Sequence, residues 1–98
     1  MTSEEASRKA YIKAKSSGYT RKLEEIACKD PWHAYKFALH VKGADIEYCQ
    51  ERACKNSWYA YRFALDIPGA DMNYCLEACK KTEYYAKLQE CIMEEALL

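Results

Sequence analysis

Six cysteines and two histidines are the side chains of this 98-residue sequence best suited to chemistry. Thiolates and imidazoles hold zinc when they recur at spacings such as Cys-x-x-Cys, and a thiolate beside an imidazole base makes a nucleophile. Neither pattern is present. No Cys-x-x-Cys occurs; Cys75 and Cys79 are four apart, on one helical face, but Cys49 and Cys54 are five apart. His33 and His40 lie on one face, seven residues apart. At 1.5 Å of helical rise per residue that is roughly 10 Å, too far to share an ion. A Gly-rich phosphate loop, His-Glu-x-x-His and a nucleophile elbow are all missing. The acid pairs Glu24-Glu25 and Glu94-Glu95 are adjacent, so they do not share a helix face. The expectation is a non-enzyme with no metal and no cofactor, its thiols serving as small core residues. A metal- or redox-responsive thiol site assembled from separate helices is the alternative.

Composition narrows the class. Half of the residues are apolar and 31% are charged, with three Gly and two Pro. That mix suits amphipathic helices rather than a many-turned β fold or a disordered chain. Fifteen acids balance fifteen bases. A dedicated nucleic-acid binder usually carries a basic excess, so that class is disfavoured. No apolar run approaches the ~18 residues of a membrane span, and Met1 to Ala14 lacks the apolar core of a signal peptide. A cytoplasmic protein with reduced thiols is the default reading. The charge is mildly polarised: residues 1–29 hold seven bases and four acids, residues 30–98 eight bases and eleven acids. That polarity leaves a homo-oligomer open.

The residues above belong to a duplicated segment. Ala27–Glu51 aligns with Ala53–Glu77 without a gap, at an offset of 26, and fifteen of the twenty-five pairs are identical. Ala-Cys-Lys occurs at 27–29, 53–55 and 78–80. Cys28, Cys54 and Cys79 therefore share one repeat position, Cys49 and Cys75 another, and Cys91 stands apart. Gly18-Tyr19-Thr20 occupies the place of Gly43-Ala44-Asp45 and Gly69-Ala70-Asp71. Worn end copies are expected of a stack, because end units meet water on one side.

Each unit reads as two helices. Asp30-Pro31 is an N-cap with Pro at the first helical position, and Asn56-Ser57 stands in its place in the next copy. Trp32, Tyr35 and Leu39 recur at i, i+3, i+7 beside Ala34, Phe37, Ala38 and Val41, a wide apolar face. Gly43 follows as a C-terminal stop, and Asp45 caps a second helix with Ile46, Cys49 and Ala53 inward. Helices are predicted at about 3–16, 20–28, 31–42, 46–55, 57–67, 72–80 and 83–97. Thr2 and Glu5 carry a capping-box spacing, and Pro68 should end its helix early. The fold class is all-α: tandem helix hairpins forming a short right-angled or superhelical, α-solenoid-like stack of about seven short helices. One domain spans 1–98, divided into a degenerate unit 3–29, repeats 30–55 and 56–80, and a C-terminal capping helix 82–98.

Differences between copies suggest where packing leaves freedom. On the first helix of each unit they are His33, Lys36 and His40 against Tyr59, Arg62 and Asp66; on the second they include Glu47 and Gln50 against Asn73 and Leu76. The first set forms one stripe, read as the candidate partner-binding surface centred on His33, Lys36, Tyr59 and Arg62. Tyr35 and Tyr61 read as core, Tyr48 and Tyr74 as a groove edge.

The pattern Ala-Tyr-x-Phe-Ala followed by Gly-Ala-Asp-Ile, over roughly residues 27–80, resembles a short tandem repeat of small phage and mobile-element proteins of unassigned function. The resemblance implies no functional residues. By analogy with small phage-borne inhibitors such as anti-CRISPR proteins, it implies a non-catalytic protein-binding module that sterically blocks a host defence protein. Nucleic-acid recognition through Lys36 and Arg62 is the competing expectation, distinguished by steep salt dependence.

Overall fold

The computed structural model describes residues 2–97. Seven helices follow one another: α1 (Ser3–Ser17), α2 (Arg21–Ala27), α3 (Pro31–His40), α4 (Ile46–Ala53), α5 (Ser57–Asp66), α6 (Met72–Ala78) and α7 (Tyr84–Leu97). No strand occurs among the described residues. The predicted capping helix reaches 98, and that last residue lies outside the described range.

Local chemistry starts these helices where the sequence places the caps. Thr2, Thr20, Asp30, Asp45, Asn56 and Asp71 each accept a backbone N–H from the first turn. Each such cap is worth about 1 kcal/mol. Thr82 accepts the N–H of Tyr84 and so serves α7 in the same way. Gly43 and Gly69 turn the chain between paired helices at φ +92° and +89°, matching bends that an L side chain rarely adopts.

Helices of seven to fifteen residues are marginal alone. Packing supplies the rest. α1 lies against α2, α3 against α4 and α5 against α6, as three hairpins. The odd helices form a row, α1 to α3 to α5 to α7, and each even helix also rests on the next odd one. The result is an elongated body of 43 × 26 × 15 Å. Between the rows run Ala34, Phe37, Ala53, Phe63, Cys75 and Leu88, all fully buried. Phe37 and Phe63 hold the same repeat position in successive hairpins.

Two expectations change. Pro68 does not shorten its helix. α3 and α5 are both ten residues long and end at equivalent positions, with Val41 and Ile67 both extended, although Lys42 stands where Pro68 does. Pro68 occupies a bend that the repeat already makes. The apolar face of the odd helices is also two faces. Ala34, Phe37 and Val41 point to the core, whereas Trp32 and Leu39 are 40% and 38% exposed and Trp58 and Leu65 are 43% and 38% exposed.

Candidate functional site

The predicted stripe is a seam. His33 is buried, with its Nδ1 2.6 Å from Asp30 Oδ2. Its ring and that of exposed His40 flank Tyr11 of α1, at centroid distances of 6.3 and 6.2 Å. The Lys36 ammonium lies over the Tyr11 ring at 4.8 Å and over Trp32 at 5.0 Å. The equivalent residues of α5 face α3. Tyr59 packs on Trp32 and Tyr35, at 5.5 and 6.3 Å between centroids. Asp66 accepts the Tyr35 hydroxyl and pairs with Arg62 at 2.7 Å. His33, Tyr59 and Asp66 are thus committed to joining neighbouring odd helices. Positions that differ between the copies are therefore not free of packing. At these positions α3 meets Tyr11 and α5 meets Tyr35.

An aromatic clasp recurs along the row. Trp32 and Tyr35 stack at 6.2 Å and hold Tyr59; Trp58 and Tyr61, 5.9 Å apart, hold Tyr84 at 5.4 Å from each ring. Each aromatic pair adds about 0.5–1.5 kcal/mol beyond area burial. Tyr84 therefore plays the part of Tyr59 at an offset of 25, the offset that also relates Cys79 to Cys54.

A second joint lies in the even layer, and sequence reasoning missed it. Glu24 is fully buried and accepts the backbone N–H of Asp45 at 2.7 Å, the Tyr19 hydroxyl at 2.7 Å and Arg21 at 3.0 Å. Gln50 stands 26 residues on and accepts the N–H of Asp71, also at 2.7 Å. The thiols of Cys49 and Cys75 reach the same acceptors at 3.6 Å. The signal was available in the alignment: a polar residue at 24 and 50, leucine at 76.

The thiols continue this joint. Cys28 and Cys49 stand 3.6 Å apart, sulfur to sulfur, and Cys54 and Cys75 3.8 Å. All six cysteines are free. Contact with Cys28 and burial push Cys49 far above the ordinary thiol value; contact with Cys75 and burial do the same to Cys54. The hydrogen bond from Cys54 draws Cys75 down, and burial raises Cys79. Protonated, buried thiols are poor nucleophiles and poor metal ligands. Among the described residues no three His, Cys, Asp or Glu side chains converge as a metal-ligand set.

The outer surface of the odd row remains. Trp32 and Leu39 on α3 repeat as Trp58 and Leu65 on α5, partly exposed to almost equal extents. An open groove of about 490 Å³ runs beside Trp32 at the N-terminal ends of α1, α3 and α5, with Glu4, Lys29 and Tyr59 on its walls. Tyr74 on α6 is 43% exposed and edges two smaller hollows of the even layer, where Tyr48 is half-buried beneath the Arg21 guanidinium at 4.0 Å. Among the described residues no helix is long and apolar enough to cross a membrane. In comparisons with protein-family models, characterised proteins and solved structures, the chain matches none.

Proposed function

We propose that the chain is a short α-solenoid-like stack of hairpins that works as a non-catalytic protein-binding module. The outer face of α3 and α5 is its docking surface. One observation carries this reading: Leu39 and Leu65 are identical in the two copies yet more than a third exposed, 38% each, beside Trp32 and Trp58. Identity at core positions follows from packing. Identity at exposed apolar positions, which water disfavours, follows from a second surface that covers them.

The occupant that fits is a protein surface with an apolar centre and carboxylates at its rim. Trp and Leu supply the apolar anchors, and Lys36 and Arg62, half-buried at the edge of the same face, supply the cations. Binding there is steric: a rigid body 43 Å long covers its partner's working surface. The phage-type repeat resemblance points to a host defence protein as that partner, and so to an inhibitor. Covering the rest of each leucine contributes about 1 kcal/mol.

Leu39→Glu/Leu65→Glu is the test. Both side chains lie outside the aromatic clasps, so circular dichroism and melting temperature should stay within about 2 °C of the parent. Host proteins retained by the parent chain should be lost with the double variant, and the purified partner should bind at least about a hundredfold more weakly. The same partners retained at the same affinity would remove this face from consideration. A gel shift at low and moderate salt separates the nucleic-acid reading, which is weaker because fifteen acids balance fifteen bases.

A further inference from the structure

The seam between odd helices recurs three times within the chain, and both halves of a fourth seam lie exposed on opposite flanks. On α1, Tyr11 takes the part of Tyr35 against the following helix. The positions of α1 that correspond to the seam stripe His33, Lys36, His40 are then Lys9, Ile12 and Ser16. All three are exposed, Ile12 by 53%. On α7, Tyr84 takes the part of Tyr59. The positions that correspond to the clasp residues Trp58 and Tyr61 are then Glu83 and Ala86, and Glu90 stands at the place of the outer Leu65; all three are exposed. The α7 flank is thus an acidic row with a small apolar residue between its carboxylates. The α1 flank is a lysine beside an isoleucine, with Lys13 adjoining.

We infer that these flanks are made for each other, so that a second copy of this chain docks head to tail with its α1 flank against the α7 flank of the first. Register supports it. Within the chain, each odd helix presents its 32 and 35 positions to the 33, 36 and 40 positions of the next. Carried across two copies, that register sets Glu83 toward Lys9 and Ala86 toward Ile12 and Ser16, with Glu90 at the rim of the contact. Loss of the Trp–Tyr clasp from α7 follows too: aromatic packing within the chain gives way to a charge-matched contact between chains. The contact is heterologous, so it leaves one free flank at each end and builds open chains of copies rather than closed dimers. A single helix-to-helix seam falls below the roughly 800 Å² per partner of stable complexes. Association is therefore weak, concentration-dependent and salt-sensitive.

Sedimentation velocity on the full chain between about 10 and 500 μM tests this. In low salt the mean mass should climb from the 11.4 kDa of one chain through successive multiples, and about 0.5 M salt should weaken association roughly tenfold or more. Ile12→Asp blocks the α1 flank, and Glu83→Lys/Glu90→Lys blocks the α7 flank. Each variant alone should stay monomeric with unchanged circular dichroism. Mixed, they should form a one-to-one complex and nothing larger, because one good flank of each kind remains. A wild-type chain that stays monomeric at 500 μM overturns the inference. So do variants that still self-associate, since their contact would then run through another face.

Discussion

Gln50 Oε1 accepts the backbone N–H of Asp71 at 2.7 Å, across the joint between the second and third hairpins. The bond satisfies a cap residue's own donor with a side chain from the preceding unit, so it sets where the next helix begins. Glu24 does this for Asp45 in the previous joint. The two differ in charge, and the reason lies three residues earlier. Arg21 pairs with Glu24, whereas the equivalent position before Gln50 is Glu47. A carboxylate at 50 would face a like charge where Glu24 meets a guanidinium.

Gln50→Leu, which copies the residue at 76, should lower stability by about 1–3 kcal/mol, because it strands the Asp71 N–H and the Cys75 thiol. For a domain of this size that is a fall in melting temperature of roughly 5–15 °C. Gln50→Glu alone should also destabilise. Glu47→Arg/Gln50→Glu, which rebuilds the first joint, should recover most of the loss. A thermal melt of the four chains checks the order. A Gln50→Leu chain as stable as the parent would mean the bond joins nothing.

Helix limits were legible because the signals that set them are local. Asp45 and Asp71 cap whatever follows them, and Gly43 and Gly69 bend the chain wherever they stand; the observed ends lie within about two residues of the expected ones. The site was less legible because a repeat's neighbours are not in its own segment. His33 and Tyr59 differ, and the difference reads as freedom until Tyr11 and Tyr35 are seen beside them. Leu39 and Leu65 agree, and agreement reads as burial until both prove exposed. Comparing copies reveals constraint; only the packed row says whether a neighbour or the solvent side imposes it.

The Tyr35 hydroxyl joins α3 to α5 through Asp66, and burial, then the bond to Asp66, raises its ionisation above the ordinary tyrosine value. A raised folded-state value means that the folded chain holds the proton more tightly. The resulting stability is fully present below about pH 10, the unfolded value, and is lost as pH rises through the folded one. Tyr35→Phe should cost about 0.5–1.5 kcal/mol at pH 7. The gap between parent and variant in urea titrations should shrink as pH climbs past about 10. A gap constant from pH 7 to 11 would sever the hydroxyl from alkaline stability.

Five of the six thiols sit at the joints or under them, and Cys91 alone lies on α7 away from both sulfur pairs. Brief treatment of the native chain with iodoacetamide near pH 7.5 should label Cys91 first. Cys28, Cys49, Cys75 and Cys79 should react only at the rate of unfolding, since access rather than the lowered value of Cys75 limits them. Peptide mass spectrometry reads the order. Early labelling of Cys75 would indicate an opened second joint and a reactive thiol, and would revive the redox reading.

Gly43 and Gly69 test whether the hairpin bends are interchangeable. A Cβ at 69 would meet nothing within 4 Å, and one at 43 would meet Tyr19 only at 3.6 Å, an ordinary contact. Space therefore permits alanine at both, and the cost comes from the positive φ alone. Gly43→Ala and Gly69→Ala should each lose about 1–2 kcal/mol, and by similar amounts. Joined by chemical synthesis, a D-alanine at 69 prefers the φ that this bend uses and restricts the unfolded chain. It should match or exceed the parent's stability by up to about 1 kcal/mol. Equal losses for L- and D-alanine at 69 would mean that the bend tolerates no side chain at all, and that the space beside it is not free.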